Sequence, residues 1–417
     1  MKFNGEAVLE KVQPVVSKLQ TNKYMQGISQ GFMMALPIVI MGSFALILKI
    51  IPIQAYKDFI NSSGIGAILS VPMKFTTSFT AVIYSFCIAY RLAQQFKSKE
   101  GIIGLLALVS LFIVTPYDMK TGQITTEWLG SQGIFTAMIV AILTTKIYVF
   151  IEEKGWSIKM PDSVPPFISN TFSSLIPAII ILTIFTGISA VFSLTAFGSI
   201  HKFIFTLIQA PLTKYIGGNL ISALIIAFLC QLCWLFGIHG LVVLSLVTPI
   251  WQSMDAAQLA AAQAGEALPN ILGYQFNGHY ASNSVLPIAI LLMIISKSKQ
   301  NKTLAKIAFI PACFSISEPL VFGLPIILNP IYALPWMLFP LICVILPYTA
   351  TAIGLIPPMM AITLPFGTPM IVSGFLQGSW KIAAMQVVLI LIGCVLFYPF
   401  VKYADSQLCK QEQGIEN

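Results

Sequence analysis

Apolar runs of about twenty residues alternate with short charged or Pro/Gly-rich connections along most of the chain. A helix of that length crosses the roughly 30 Å hydrocarbon core of a bilayer. In the first half the runs are regular, and they predict five transmembrane helices. Their approximate ranges are residues 27–50, 75–96, 101–117, 131–151 and 172–196.

The apolar runs of the second half are uneven, and several are too short to cross a membrane alone. They cover residues 218–236, 241–251, 283–296, 307–316, 326–348, 352–376 and 382–401. Prolines and glycines interrupt them, as in FGLPIILNP and IPPMMAITLPFGTP. Irregular backbone at membrane depth is tolerated only where protein or a water-filled cavity satisfies its polar groups, so these broken segments predict a binding site.

Two polar stretches lie between the runs of the second half. Residues 199–218 mix polar and apolar side chains, which predicts an amphipathic connector between the two halves. Residues 255–284 are longer and more polar, and their AAQLAAAQAGEA sequence predicts a short exposed helix in an extramembrane loop. Toward the end of this stretch Gln275, Asn277 and His279 interleave with aromatic residues, which singles them out from an ordinary loop.

The composition agrees with a membrane protein, because 57% of the residues are hydrophobic and 9% are charged. We therefore predict an all-α integral membrane protein. Lysines collect at alternate ends of the apolar runs, and the positive-inside rule places these ends and both termini in the cytoplasm. They are Lys2, Lys11, Lys18, Lys23, Lys97, Lys99, Lys146, Lys154, Lys159, Lys297, Lys299, Lys302, Lys306, Lys402 and Lys410. Because they are dispersed, the net charge of +8 does not indicate nucleic-acid binding.

Ionisable residues inside hydrophobic segments are costly and are therefore candidates for function. Glu318 is the only acid in a long apolar stretch of the second half, and a carboxylate there must be hydrogen-bonded or protonated. Its alternative role is a structural carboxylate beside Pro319. His239 lies between Gly237 and Gly240, which permit close approach, and its imidazole suits a hydroxyl-rich ligand. The alternative for His239 is a packed core histidine.

Three further residues are candidate ligand contacts. Arg91, the only arginine, lies about one turn before the cytoplasmic end of the second span, where snorkelling to the interface is the alternative. Trp380 can stack on a ligand such as a sugar, or anchor the interface together with Lys381. Asn277 is a candidate because polar and aromatic residues alternate around it.

Several motifs that would indicate other chemistry are absent from the sequence. It contains no GxxxxGK[ST] loop, no zinc-ligand spacing and no GxSxG elbow. The seven cysteines lie mostly inside apolar runs, where a thiol acts as a small hydrophobe, so we expect no disulfide framework. Cys230 and Cys233 have redox-motif spacing, but buried packing is the expected role. We predict neither a metal site nor a cofactor.

Three motifs carry a resemblance to a known family. GIHG at residues 237–240, SEPLVFG at residues 317–323 and KMPDSVPPFISNTFSSLIP from Lys159 to Pro177 resemble the membrane-embedded IIC component of the bacterial phosphoenolpyruvate-dependent sugar phosphotransferase system. The branch that looks most similar is the lactose, cellobiose and diacetylchitobiose group. The resemblance covers nearly the whole chain in order.

The resemblance implies a two-domain, elevator-type homodimer with re-entrant hairpins, amphipathic helices and about ten crossings of roughly 20 residues each. Residues 1–200 would form the dimer contact, and residues 201–417 would carry the sugar and move as a rigid body. By motif, His239 and Glu318 would lie at the sugar hydroxyl that is phosphorylated. The phosphoryl group would come from separate IIA and IIB subunits, since no such domain is evident in this chain.

The leading hypothesis is import of a sugar across the bacterial cytoplasmic membrane, coupled to its phosphorylation. The sugar is expected to be a β-linked disaccharide such as cellobiose, diacetylchitobiose or lactose. An alternative is an ion-coupled secondary transporter that uses Glu318 as its proton site. A third alternative, a non-transporting membrane receptor, is disfavoured by the broken second half, because a receptor needs no cavity at mid-membrane.

Overall fold

The computed structural model describes residues 21–50, 54–118, 121–158, 160–161, 164–236, 239–281, 285–324, 326, 329–365 and 368–413. Over these residues the chain is largely helical and forms two compact units. The N-terminal unit comprises the described residues of 21–214 and 248–266. The C-terminal unit comprises the described residues of 215–247 and 267–413.

The N-terminal unit is a bundle of mostly long apolar helices. They are α1 (Lys23–Ile50), α2 (Gln54–Ser62), α3 (Ile65–Thr77), α4 (Thr80–Gln95), α5 (Glu100–Val114), α6 (Ile134–Glu153), α7 (Pro166–Ser173) and α8 (Leu175–Ser193). Helix α4 is central and packs against α1, α5 and α6. A short antiparallel hairpin, β1 (Tyr117–Asp118) with β2 (Gln123–Ile124), follows α5. Two 3₁₀ turns, Thr126–Leu129 and Ser131–Gly133, lead into α6.

The contact between α1 and α4 depends on glycine. A Cβ atom on Gly31 would lie 2.6 Å from the Cα atom of Ile88, and a Cβ on Gly27 would lie 2.4 Å from a methyl group of Leu92. Small residues let membrane helices approach closely where lipid offers no hydrophobic drive for association. The two glycines, one helical turn apart, therefore set the packing of this pair.

Residues 199–218 begin with α9 (Ile200–Ile204) and continue through the π-helical turn Phe205–Gln209 into α10 (Ala210–Leu212) and a second π-helical turn, Thr213–Gly217. The predicted connector is therefore helical throughout, but it is irregularly wound. The boundary between the compact units falls within it, after residue 214, and not at residue 200, where the sequence predicts the division.

The C-terminal unit consists of shorter and more interrupted elements. Its helices are α11 (Leu220–Leu235), the first part of α12 (Leu241–Ala264), α13 (Tyr274–Phe276), α14 (Val285–Ile295), α15 (Lys299–Cys313), α16 (Glu318–Gly323), α17 (Pro330–Ala352), α18 (Val372–Leu376) and α19 (Trp380–Glu412). A π-helical segment, Asn277–Ala281, follows α13. Helix α11 packs against α17, and α14 packs against α15 and α19.

A proline-rich helix and a stretch of irregular backbone characterise this unit. Helix α17 contains Pro335, Pro340 and Pro347, each of which removes a backbone donor from the helix. Beyond α17, the described residues of 353–371 are irregular, and Ala361 and Ile371 adopt left-handed φ values of 54° and 69°. Such a conformation is costly for a β-branched residue, so the surroundings of Ile371 must hold it in place.

Six described helices are long and apolar enough to cross a membrane, or eight if each of two bent helix pairs forms one span. The predicted helical, multi-pass membrane fold is confirmed at this level. The regular spans predicted in the first half correspond to α1, α4, α5, α6 and α8.

The prediction of a short exposed helix after Asp255 is wrong. The polar stretch continues α12 without a break as far as Ala264, and Asp255, Gln258 and Leu259 are all buried in the N-terminal unit. Alanine and glutamine favour a helix wherever it lies, so the local sequence indicates helix but does not reveal what packs on it.

Candidate functional site

His239 lies in the short connection between α11 and α12 and has an exposed side chain. Its ring packs against Trp234, with ring centroids 4.4 Å apart and an interplanar angle of 49°. The backbone N–H of Leu241 donates a hydrogen bond to Nδ1 of His239 over 3.2 Å. Because Nδ1 is the acceptor, the proton of the neutral ring belongs on Nε2.

Gly240 lets the chain turn closely past the end of α11. A Cβ atom at this position would lie 3.2 Å from the carbonyl oxygen of Cys230 and 3.2 Å from Nε1 of Trp234. The carbonyl oxygen of Gly240 in turn accepts a weak hydrogen bond from Sγ of Cys230 over 3.6 Å. A larger residue would press on Cys230 and Trp234, so a glycine at this position permits the close turn that carries His239.

His239 borders a cavity of about 480 Å³, which we call the His239 cavity. Its described walls come from α11, the start of α12, residues 275–281, Val285, residues 314–317, α17, residues 364–365 and residues 368–373. All of the described lining residues belong to the C-terminal unit. The volume lies within the range of small-molecule binding sites.

The described lining of the His239 cavity contains no Asp, Glu, Lys or Arg side chain. It offers instead neutral polar groups, two histidines and the partly exposed rings of Trp234 and Phe314, together with the buried Trp336. An uncharged ligand with many hydroxyl groups matches this lining, because amide, imidazole and hydroxyl groups exchange hydrogen bonds with hydroxyls and aromatic faces cover apolar C–H groups.

The π-helical segment Asn277–Ala281 forms one wall of the cavity. Three polar residues singled out by their aromatic neighbours, Gln275, Asn277 and His279, all line the cavity. π-Helical turns are rare and occur frequently at functional sites, where they re-aim side chains. This wall is therefore built from the one part of the long polar stretch that sequence analysis distinguished from a loop.

Gln377 holds this wall through the ring of His279. Its side chain pairs with the backbone of Ile362, accepting from the N–H at 3.0 Å and donating to the carbonyl oxygen at 2.8 Å. This pairing fixes the orientation of the amide, so Nε2 of Gln377 donates to Nε2 of His279 over 2.9 Å. Neutral His279 consequently carries its proton on Nδ1.

Gln386 holds the same wall through the backbone. Its Nε2 donates to the carbonyl oxygen of His279 at 3.0 Å and to Oγ of Ser373 at 3.2 Å. Its Oε1 accepts from the N–H of Ile371 at 2.9 Å, which stabilises the left-handed backbone there. Gln377 and Gln386 are 0% and 1% exposed, so these bonds are formed in the protein interior.

Glu318 is the first residue of α16 and directly follows Ser317, a residue of the cavity wall. Its side chain lies outside the described part of the structure. The backbone before it turns sharply, since Ser315 has a φ of 60°. The carbonyl oxygen of Cys313 accepts a hydrogen bond from the N–H of Met370 over 3.2 Å, which ties the turn to another residue of the cavity wall.

The remaining sequence-predicted residues lie elsewhere. Arg91 belongs to the N-terminal unit, where its Nη1 donates to Oε1 of Gln94 over 2.9 Å. Trp380 begins α19, is 64% exposed and is not among the described residues that line the cavity. The structure thus gathers His239, Gly240 and Asn277 at one cavity and leaves Arg91 and Trp380 outside it.

Four residues of this region were missed by sequence analysis: Gln231, Trp336, Gln377 and Gln386. Gln231, Trp336 and Gln386 are polar or amphipathic side chains inside apolar runs, and Gln377 directly follows one, so this placement is the signal that the sequence offers. Amides and indoles cost less than ionisable groups inside an apolar segment, so they do not stand out in the sequence as functional candidates.

Comparison with known proteins gives consistent matches over most of the chain. A family described as "Phosphotransferase system, EIIC" matches residues 29–340. The cellobiose-specific EIIC component of Geobacillus stearothermophilus is 33% identical over 97% of this chain and 95% of the relative. The lactose-specific EIICB component of Staphylococcus aureus is 29% identical, over 98% of this chain but only 73% of the relative.

A solved structure has the same fold. The crystal structure of the transporter ChbC, the IIC component from the N,N'-diacetylchitobiose-specific phosphotransferase system, matches with a TM-score of 0.93 and 33% sequence identity. The match covers 98% of this chain and 100% of that chain.

Proposed function

The chain belongs to the phosphotransferase system EIIC family and is a membrane-embedded sugar permease, and we propose that it binds a β-linked disaccharide in the His239 cavity for phosphorylation by a separate subunit. The observation that carries this assignment is the lining of the cavity, which combines neutral polar groups with aromatic rings. Relatives named for cellobiose, diacetylchitobiose and lactose match this chain along nearly its full length, which supports a β-linked disaccharide.

His239 and Glu318 have different roles at the reacting hydroxyl: His239 holds the sugar oxygen, and Glu318 accepts the proton. Since Nδ1 of His239 accepts from Leu241, its Nε2–H is the group that can hold the sugar oxygen. The hydroxyl proton then passes to the carboxylate of Glu318, the P–O bond to the sugar forms, and the P–S bond of a phosphocysteine on the partner breaks. Phosphoryl transfer depends mainly on positioning and charge control, so these two groups are sufficient local chemistry.

The phosphoryl donor is a separate IIB subunit, which is itself phosphorylated by a IIA subunit. The match with the lactose EIICB component supports this arrangement, because more than a quarter of that relative has no counterpart in this chain. Among the cysteines of this chain, only Cys409 lies in the polar C-terminal stretch. A donor cysteine on a separate IIB subunit fits this distribution of cysteines.

We also assign an elevator-type homodimer with about ten crossings of roughly 20 residues each and with both termini in the cytoplasm. The N-terminal unit forms the dimer contact, and the C-terminal unit carries the sugar. Helix α8 is consistent with the first assignment, because Ile179 and Val191 are 57% and 62% exposed and present apolar surface to lipid or to a second copy. The cavity, which lies wholly in the C-terminal unit, supports the second.

Vesicle uptake tests the proposed function. The purified protein is reconstituted, and labelled cellobiose, diacetylchitobiose and lactose are offered with phosphoenolpyruvate and the soluble phosphotransfer proteins inside. We expect one of these sugars to accumulate as its phosphate, and only when the phosphotransfer proteins are complete. Uptake that ignores these proteins and collapses with an uncoupler would instead support the ion-coupled alternative.

A further inference from the structure

Two polar atoms of the cavity wall have no hydrogen-bond partner among the described protein groups. They are Oε1 of Gln231, on α11, and Nε1 of Trp336, on α17. Both residues line the His239 cavity, and the two helices pack against each other. Folded proteins leave few buried polar atoms unpaired, so each such atom calls for an explanation.

The two atoms are chemically complementary to a hydroxyl group. Oε1 of Gln231 only accepts hydrogen bonds, and the indole N–H of Trp336 only donates them. A sugar hydroxyl does both, since its hydrogen can be donated to Gln231 and its oxygen can accept from Trp336. A purely apolar ligand would leave both atoms unpaired.

The surroundings of Trp336 prevent its ring from stacking on a sugar. The residue is 2% exposed, so its ring is enclosed by protein and its faces are not available to a sugar. The nitrogen is shielded from solvent as well and has no partner among the described groups, so a ligand hydroxyl reaches it when the wall of the cavity shifts locally on binding. Trp234 differs, because its partly exposed ring packs against His239.

We propose that Oε1 of Gln231 and Nε1 of Trp336 form hydrogen bonds with hydroxyl groups of the bound disaccharide. These two contacts help to determine which sugar the protein accepts. This inference rests on the proposed function. It adds an acceptor and a donor to the contacts assigned to His239 and Glu318. A site that uses buried polar groups rejects a ligand that lacks the matching hydroxyl more strongly than an apolar pocket can.

The matched control for Trp336 is Tyr332, which lies one helical turn earlier on α17. Its hydroxyl is also buried and without a partner, but Tyr332 is not among the described lining residues of the cavity. Trp336→Phe and Tyr332→Phe therefore each remove one buried, unpaired polar group from the same helix. Gln231→Met is the corresponding change on α11, because it keeps the side-chain length and removes the acceptor.

The test is calorimetric binding of the purified full chain to cellobiose, diacetylchitobiose, lactose and monodeoxy analogues of whichever disaccharide binds. We expect Trp336→Phe and Gln231→Met to weaken binding of the parent disaccharide about tenfold, which is the effect of losing one well-formed hydrogen bond. For at least one monodeoxy analogue, wild type and variant should bind equally, because the missing hydroxyl is the one that the removed group contacts. Tyr332→Phe should bind as wild type does.

Unchanged binding of the parent disaccharide by both folded variants would overturn the inference. A loss that is equal for every analogue would also overturn it, because it would indicate a structural effect on the cavity. Thermal melting of the ligand-free variants separates such an effect from lost contacts. If wild type binds none of the three disaccharides, the proposed function itself fails, and this inference fails with it.

Discussion

Both compact units place a histidine against a tryptophan, but the two pairs have different surroundings. In the N-terminal unit His201 is fully buried and stacks on Trp128, with ring centroids 5.5 Å apart. Its Nε2 lies 3.1 Å from Oγ1 of Thr115. In the C-terminal unit the ring of His239 packs on Trp234 but is exposed and borders a cavity.

The comparison teaches that a histidine beside an aromatic ring in an apolar segment does not by itself mark a site. Oγ1 of Thr115 donates to the carbonyl of Leu111 at 2.7 Å, so it accepts from His201 and fixes that ring within the core. His201 is thus the packed core histidine that was the alternative for His239. The difference between the two lies in the space beside the ring, which only the folded structure reveals.

Glu318→Gln should produce the largest loss of activity. It distinguishes a role of the C-terminal unit in phosphorylation from a role in stability. Losing the proton acceptor should slow sugar phosphorylation by about 100-fold or more, the usual contribution of a general base. Binding should also weaken, while the melting temperature of the ligand-free protein changes little. The measurement is phosphorylation of cellobiose by the complete soluble system. A folded variant that binds and phosphorylates normally would remove Glu318 from the site.

His239→Ala and His201→Ala test the comparison directly. Removing the ring of His239 should weaken cellobiose binding about ten- to hundredfold, because a donor to the sugar is lost. Removing the ring of His201 leaves a hole in the core and should lower the melting temperature, with sugar affinity of the folded protein unchanged. Calorimetric titration and thermal melting of both variants are the measurements. If the two variants exchanged these phenotypes, the assignment of the two histidines would be reversed.

Gln377→Leu tests whether hydrogen bonds from side-chain amides hold the cavity wall in place. The change leaves the N–H and carbonyl groups of Ile362 and Nε2 of His279 unpaired, at a cost of about 1–3 kcal/mol for each group that stays buried. The free energy of unfolding should therefore fall, and cellobiose should bind about three- to tenfold more weakly because the Asn277–Ala281 wall shifts.

A buried glutamine of the N-terminal unit provides the control for Gln377. Gln258 is 4% exposed and belongs to the other compact unit. Gln258→Leu should lower stability and leave sugar affinity unaltered. Equal losses of affinity in both variants would mean that general destabilisation, rather than the cavity wall, determines binding.

Trp380→Ala should have the smallest effect. Since Trp380 is 64% exposed and outside the described cavity lining, we expect the affinity for cellobiose to change by less than about twofold. Its role is then that of an interfacial anchor together with Lys381, whose Nζ donates to the carbonyl oxygen of Leu355. A tenfold or greater loss of affinity would restore Trp380 as a stacking platform for the sugar.

The long helices of the N-terminal unit were predictable because each is encoded by one continuous apolar run bounded by charge or proline. The burial of Gln258 was not, because it depends on the rest of the unit. For the cavity, the glycines beside His239 and the aromatic residues around Asn277 are local signals, and both residues line it. Gln377 and His279 lie far apart in the sequence, so their hydrogen bond has no local pattern that could predict it.

Photolabelling tests the central claim, that the sugar binds in the cavity of the C-terminal unit, most directly. A cellobiose derivative that carries a diazirine is bound to the purified chain and activated by light, and the labelled residues are identified by mass spectrometry of peptides. We expect the label within residues 227–244, 275–285, 314–318, 336–340 and 364–373, and competition by unmodified cellobiose should suppress it. A label confined to residues 21–214, suppressed by the same competition, would contradict the account.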